Sequence, residues 1–92
     1  MEANKTVLLV EDDSSIADLV QLHLRDLGFI TDIAEDGFVG LQKALENSYS
    51  LIILDLMLPR LDGYDVCKTI REDDKKTPIL MLTSKSSKGY GV

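Results

Sequence analysis

Two short apolar runs, Thr6-Val7-Leu8-Leu9-Val10 and Leu51-Ile52-Ile53-Leu54, each lead straight into carboxylates: Glu11-Asp12-Asp13 after the first and Asp55 after the second. A run that is apolar at nearly every position, rather than at every second one, suits a strand covered on both faces, as in the parallel sheets of α/β proteins. A carboxylate closing such a strand needs a reason. If the two runs are neighbouring parallel strands, three or four carboxyl groups converge at one edge of the sheet. In open α/β sheets that edge, outside the strand C-termini, is where ligands bind.

The rest of the chain alternates helix and strand around these runs. After Asp13 or Ser14 as cap, Ile16, Leu19, Val20, Leu24 and Leu27 recur at helical spacing until Gly28. Phe29 to Ala34 reads as a second strand. Asp36 caps a helix carrying Phe38, Leu41, Ala44 and Leu45 on one face, broken at Asn47-Ser48. Leu51 to Asp55 is the third strand, Pro59 to Gly63 a turn, and Tyr64 to Arg71 a third helix with Val66 and Ile70 inward. Asp73-Asp74-Lys75-Lys76 is a polar loop, and Pro78 opens a fourth strand, Ile79 to Thr83. Four strands joined by short helical connections predict an α/β fold: a doubly wound parallel sheet with right-handed crossovers.

At 92 residues with 45% hydrophobic and 28% charged residues, the chain is one small globular domain. Its net charge of −6, with ten scattered Lys and Arg, argues against direct nucleic acid contact. No apolar run approaches bilayer-spanning length, and Met1-Glu2-Ala3-Asn4-Lys5 has no signal-peptide pattern, so no membrane association is expected. The single Cys67 rules out an intrachain disulfide and points to a cytoplasmic chain.

The topology places Glu11, Asp12, Asp13, Asp55 and Thr83 at one sheet edge. Carboxylates held close repel unless a cation sits between them. With no Cys or His in the group, oxygen ligands suit magnesium rather than zinc. An Asp beside such a metal can act as nucleophile toward a phosphoryl group and form an acyl phosphate. Several neighbours read as structural: Asp13 as a helix cap, Asp62-Gly63 as the turn into the third helix, Cys67 as a small buried hydrophobe, and His23 as a packed or half-exposed side chain.

Three stretches, Leu8-Leu9-Val10-Glu11-Asp12-Asp13, Leu51 through Gly63 and Pro78-Ile79-Leu80-Met81-Leu82-Thr83-Ser84, resemble the receiver domain of two-component response regulators. The resemblance covers residues 5–84, and the Met57-Leu58-Pro59-Arg60-Leu61-Asp62-Gly63 stretch is most similar to receivers attached to winged-helix DNA-binding domains. The Cys67 position shares in that likeness. The resemblance implies a flavodoxin-like fold with strand order 2-1-3-4 in the part present. It also implies a signalling domain rather than an enzyme, able to take a phosphoryl group from a sensor histidine kinase or from small acyl phosphates. Asp55 would be the phosphoacceptor, Asp12 a direct magnesium ligand with Glu11 as its acidic partner, the Met57 carbonyl a further ligand, and Thr83 the hydroxyl that meets the phosphoryl oxygen.

A receiver has five strands and five helices, whereas this pattern stops after the fourth strand and leaves 85–92 as a polar tail. The family lysine at the end of strand five then has no counterpart unless Lys85 or Lys88 substitutes, and Tyr90 falls on the tail rather than at the family's aromatic switch position. On this reading, switching is impaired, and the uncovered fourth strand promotes a homo-oligomer. Two alternatives stand beside it. One is a non-signalling fragment, natural or engineered, that keeps the receiver motifs as fold determinants. The other is a magnesium-dependent phosphohydrolase with an aspartyl-phosphate intermediate, although Met57 occupies the place of the acidic residue such enzymes want.

Overall fold

The computed structural model describes residues 5–55, 62–74 and 76–82. The elements run β1 (Thr6–Val10), α1 (Ser14–Asp26), β2 (Ile30–Ala34), α2 (Gly37–Glu46), β3 (Leu51–Asp55), α3 (Gly63–Asp73) and β4 (Ile79–Leu82). The four strands form one sheet in the order β2-β1-β3-β4, every pair parallel. This is the expected doubly wound arrangement; β1 and β3 have the expected bounds, and β2 begins at Ile30, one residue later than expected. Residues 56–61 and 83–92, and with them Met57, Thr83, Lys85, Lys88 and Tyr90, lie outside the described residues.

Alternation along the strands sorts the core into two layers. Leu8, Val10, Ile52 and Leu54 face α2 and α3, where Ala34, Val66 and Ile70 join them and Leu41, Ala44, Cys67 and Ile79 pack at the margin. Val7, Leu9 and Ile53 face the other way onto α1, which contributes Ala17, Val20 and Leu24. Four of the five β1 residues are wholly buried, which accounts for an apolar run without polar alternation.

Each helix begins on an aspartate. Asp13 accepts from the backbone of Ser15 and Ile16, Asp36 from Val39, and Asp62 from Tyr64. These caps satisfy amides that the first helical turn leaves without partners. At the end of α1, Gly28 takes φ +92°. Its N–H donates to Arg25 O (2.9 Å), and the N–H of Phe29 donates to Leu24 O (2.9 Å), a pairing that closes the helix and turns the chain into β2.

The apolar faces of the helices are narrower than their periodicity implies. Leu19 is 57% exposed, and Leu27 caps the helix at 72% exposed. Leu19 lies two residues, about 200°, around the helix from buried Ala17, which places it on the outer side. In α2 the inward positions are Gly37 and Gly40, with Leu41 and Ala44 partly buried, so Phe38 and Leu45 turn outward. Gly40 sets that close approach: a Cβ there would stand 2.7 Å from a Val10 methyl. His23 is exposed, its Nδ1 2.9 Å from Leu19 O. Cys67 is half-buried against the α2/α3 core. Among the described residues β4 is an edge strand, with Leu80 and Met81 partly open to solvent.

Candidate functional site

Parallel strands bring like ends together, and the C-terminal ends of β1 and β3 bring three carboxylates together. Val10 pairs with Leu54 in the ladder, so Glu11 and Asp12 follow β1 beside Asp55, the last residue of β3. Glu11 is held one step beyond the strand by its N–H, which donates to Ala34 O at 2.9 Å, and its Oε2 accepts from the N–H of Asp13 at 3.1 Å. Glu11 and Asp55 are buried, at 2% and 0% exposure, while Asp12 stands in solvent. Ligand oxygens of Glu11, Asp12 and Asp55 all lie within 4.8 Å of one another.

Three carboxylates at this separation repel when ionised, and a bound cation offsets the repulsion. The donors are all oxygen, with no thiolate or imidazole among them, a set that fits a hard divalent cation such as magnesium. Asp55 is the last residue of β3 and Glu11 is tied to the end of β2 through its N–H, so the set is largely formed before any ion arrives.

Of the residues singled out in the sequence, Glu11, Asp12 and Asp55 come together. Asp13 does not join them and caps α1 instead; Asp62 likewise caps α3. Met57 and Thr83 lie outside the described residues. Beside the cluster a cleft of about 420 Å³ opens between β1, α1 and β2, and its walls add Asp18 and Glu35. Neither was singled out in advance. Glu35 carries the signal that marked Glu11, since it directly follows the last residue of a strand.

A second polar cluster lies at the β2 edge. Asp32 projects from β2 toward the α2 side, where the buried Tyr49 hydroxyl donates to its Oδ2 (2.6 Å) and Lys43 Nζ approaches its Oδ1 (3.0 Å). Burial alone pushes the Asp32 carboxyl up, but the Tyr49 and Lys43 contacts outweigh it and hold the group below its ordinary value. Burial and the bond to anionic Asp32 together push the Tyr49 phenol well above its ordinary range, against a smaller opposing contribution from Asn47. In the sequence, a carboxylate at the α2-facing parity of β2 was the available sign of this cluster.

Residues 7–92 match the family model described as the response regulator receiver domain. The chain belongs to the receiver domain family. Among curated relatives, the response regulator ArlR of Staphylococcus saprophyticus is 45% identical over 80 residues, which are 87% of this chain and 36% of ArlR. The chain thus spans about a third of the length of the curated relatives it matches. Among solved structures, the receiver domain of sensor histidine kinase PA1611 from Pseudomonas aeruginosa superposes with a TM-score of 0.85. It is 32% identical, covers 95% of this chain and 73% of its own, and has magnesium coordinated in its active site cleft. The response regulator TrrA of Thermotoga maritima, solved in complex with the histidine kinase ThkA, has a TM-score of 0.80 and 35% identity, covering 86% of this chain and 68% of its own. The receiver is a signalling module, and among the described residues no helix is long and apolar enough to cross a membrane.

Proposed function

We propose that this receiver accepts a phosphoryl group on Asp55, with magnesium held at Glu11, Asp12 and Asp55, and that its donor is a sensor histidine kinase. The observation that carries the reading is the convergence of those three carboxylates, within 4.8 Å, at the C-terminal edge of a parallel sheet. The printed descriptions of the PA1611 receiver, which has magnesium in its cleft, and of TrrA, in complex with a histidine kinase, support the metal and the donor class.

In this reading an Asp55 carboxylate oxygen attacks the phosphorus of a phosphohistidine. A new O–P bond forms, the P–N bond breaks, and the imidazole leaves with the electron pair. The same oxygen attacks a small acyl phosphate, with the carboxylate of the donor as leaving group. Bound magnesium supplies positive charge against the phosphoryl oxygens and the surrounding carboxylates. Asp12 and Glu11 would hold that ion, and the burial of Asp55 at the end of β3 keeps its carboxylate fixed beside them. The Met57 carbonyl as a further ligand and the Thr83 hydroxyl as the group that meets the phosphoryl oxygen follow from the family resemblance.

Incubation with acetyl phosphate and magnesium, followed by intact mass, tests the proposal. A phosphoryl adduct that forms with magnesium and is lost with chelator supports a receiver. Continuous release of phosphate without an adduct would favour a hydrolase, and neither adduct nor turnover would favour a fragment that only retains the fold.

A further inference from the structure

From the hydrogen bonds around the β1–α1 turn we infer that Asp13 is a positioning residue for the metal-binding carboxylates, acting through Glu11 and Asp12 without ligating. The inference rests on the magnesium site proposed above. Asp13 has extended backbone, at φ −90° and ψ 111°, and its Oδ1, carbonyl and N–H are all engaged. Its Oδ1 accepts from Ser15 N (2.9 Å) and Ile16 N (3.3 Å), and its carbonyl accepts from Ala17 N (2.9 Å). Its own N–H donates to Glu11 Oε2 at 3.1 Å.

Two pinned neighbours therefore flank Asp12. Glu11 is fixed behind it by the bond from its N–H to Ala34 O (2.9 Å), and Asp13 is fixed ahead of it by the first turn of α1. Asp12 is exposed, and the backbone at these two positions sets the direction in which its side chain leaves the chain. The same N–H of Asp13 orients the Glu11 carboxylate within the cluster. Loss of the Asp13 side-chain acceptor frees the turn and slackens both ligands together. Outer groups that orient metal ligands typically govern about 10-fold to 100-fold in metal affinity.

Magnesium titration of the folded chain by calorimetry, comparing wild type with Asp13→Asn, Asp13→Ala and Asp13→Gly, separates the possibilities. All three substitutions remove the same charge, and only Asn keeps an acceptor for the helix amides. Asp13→Ala is expected to bind magnesium about tenfold more weakly than Asp13→Asn. Asp13→Gly is well tolerated as a cap residue yet lacks the acceptor; it guards against poor folding of the alanine variant and should fall with it. Amide exchange should report lost protection at Asp13 in both. Equal affinities for the Asn, Ala and Gly variants would overturn the inference, because only charge would then matter. Absence of saturable magnesium binding in wild type, or unchanged binding in Asp12→Ala, would instead defeat the underlying site assignment and this inference with it.

Discussion

Replacing Tyr49 with Phe removes one hydroxyl from a buried ring and isolates the contribution of the Asp32 cluster. The lost bond is short, 2.6 Å, and its acceptor is ionised. Hydrogen bonds to charged groups contribute about 1.5–3 kcal/mol. The Asp32 side chain is 33% exposed and keeps Lys43 as partner, so water and the ammonium recover part of that, leaving about 1–2 kcal/mol. For a domain of this size the loss lowers the thermal midpoint by about 4–8 °C per kcal/mol. The pH dependence carries the sharper test. The folded Asp32 pKa is depressed, so its stabilisation is present above the unfolded value near 3.8 and is lost as pH falls through the lower folded value. The folded Tyr49 pKa is raised, so its stabilisation is complete below the unfolded value of 10.0 and is lost as pH rises toward the folded one. Urea unfolding of the two proteins from pH 2 to pH 11 should show a stability gap that is flat between about pH 5 and 9 and shrinks at both ends. A gap near zero at pH 7, or one unchanged at pH 2, would refute the cluster's role.

Other positions give equally direct readouts. Gly28→Ala should cost about 1–2 kcal/mol in urea unfolding, because at φ +92° a Cβ is strained although nothing lies within 4 Å of it. Leu8→Ala, at a wholly buried β1 position, should cost about 2–5 kcal/mol in the same assay. Magnesium at about 100 times its dissociation constant should stabilise wild type by about 2.7 kcal/mol and raise its thermal midpoint, with no rise in Asp12→Ala.

The sheet was legible in the sequence because its cause is local. Leu8-Leu9-Val10 and Ile52-Ile53-Leu54 are buried on both faces, and a continuous apolar run is the direct trace of that burial. The same burial made Glu11 and Asp55 conspicuous, since nothing else explains a carboxylate at the end of such a run. Helix faces were harder to read. Leu19, Phe38 and Leu45 are apolar without being inward, because α1 and α2 approach the sheet through small residues, Ala17 and Gly40, which leave no hydrophobic mark of their own. The pairing of Asp32 with Tyr49 and Lys43, and the place of Asp18 in the cleft, depend on contacts between distant segments, which periodicity does not encode. Asp74 shows the same limit at short range: within the stretch read as a polar loop, its carboxylate accepts from Lys76 N and Thr77 N and organises the turn into β4.

Locating the phosphoryl group decides whether Asp55 is the phosphoacceptor. Wild type, Asp55→Asn and Asp12→Asn are incubated with acetyl phosphate and magnesium, then weighed intact and mapped by peptide mass spectrometry under mildly acidic conditions. Wild type should gain one phosphoryl group, mapped to Asp55 at the end of β3. Asp55→Asn should gain none, and Asp12→Asn, which keeps the acceptor but loses a metal ligand, should label slowly. Full labelling of Asp55→Asn, or an adduct mapped to another residue in wild type, would show that Asp55 is not the acceptor.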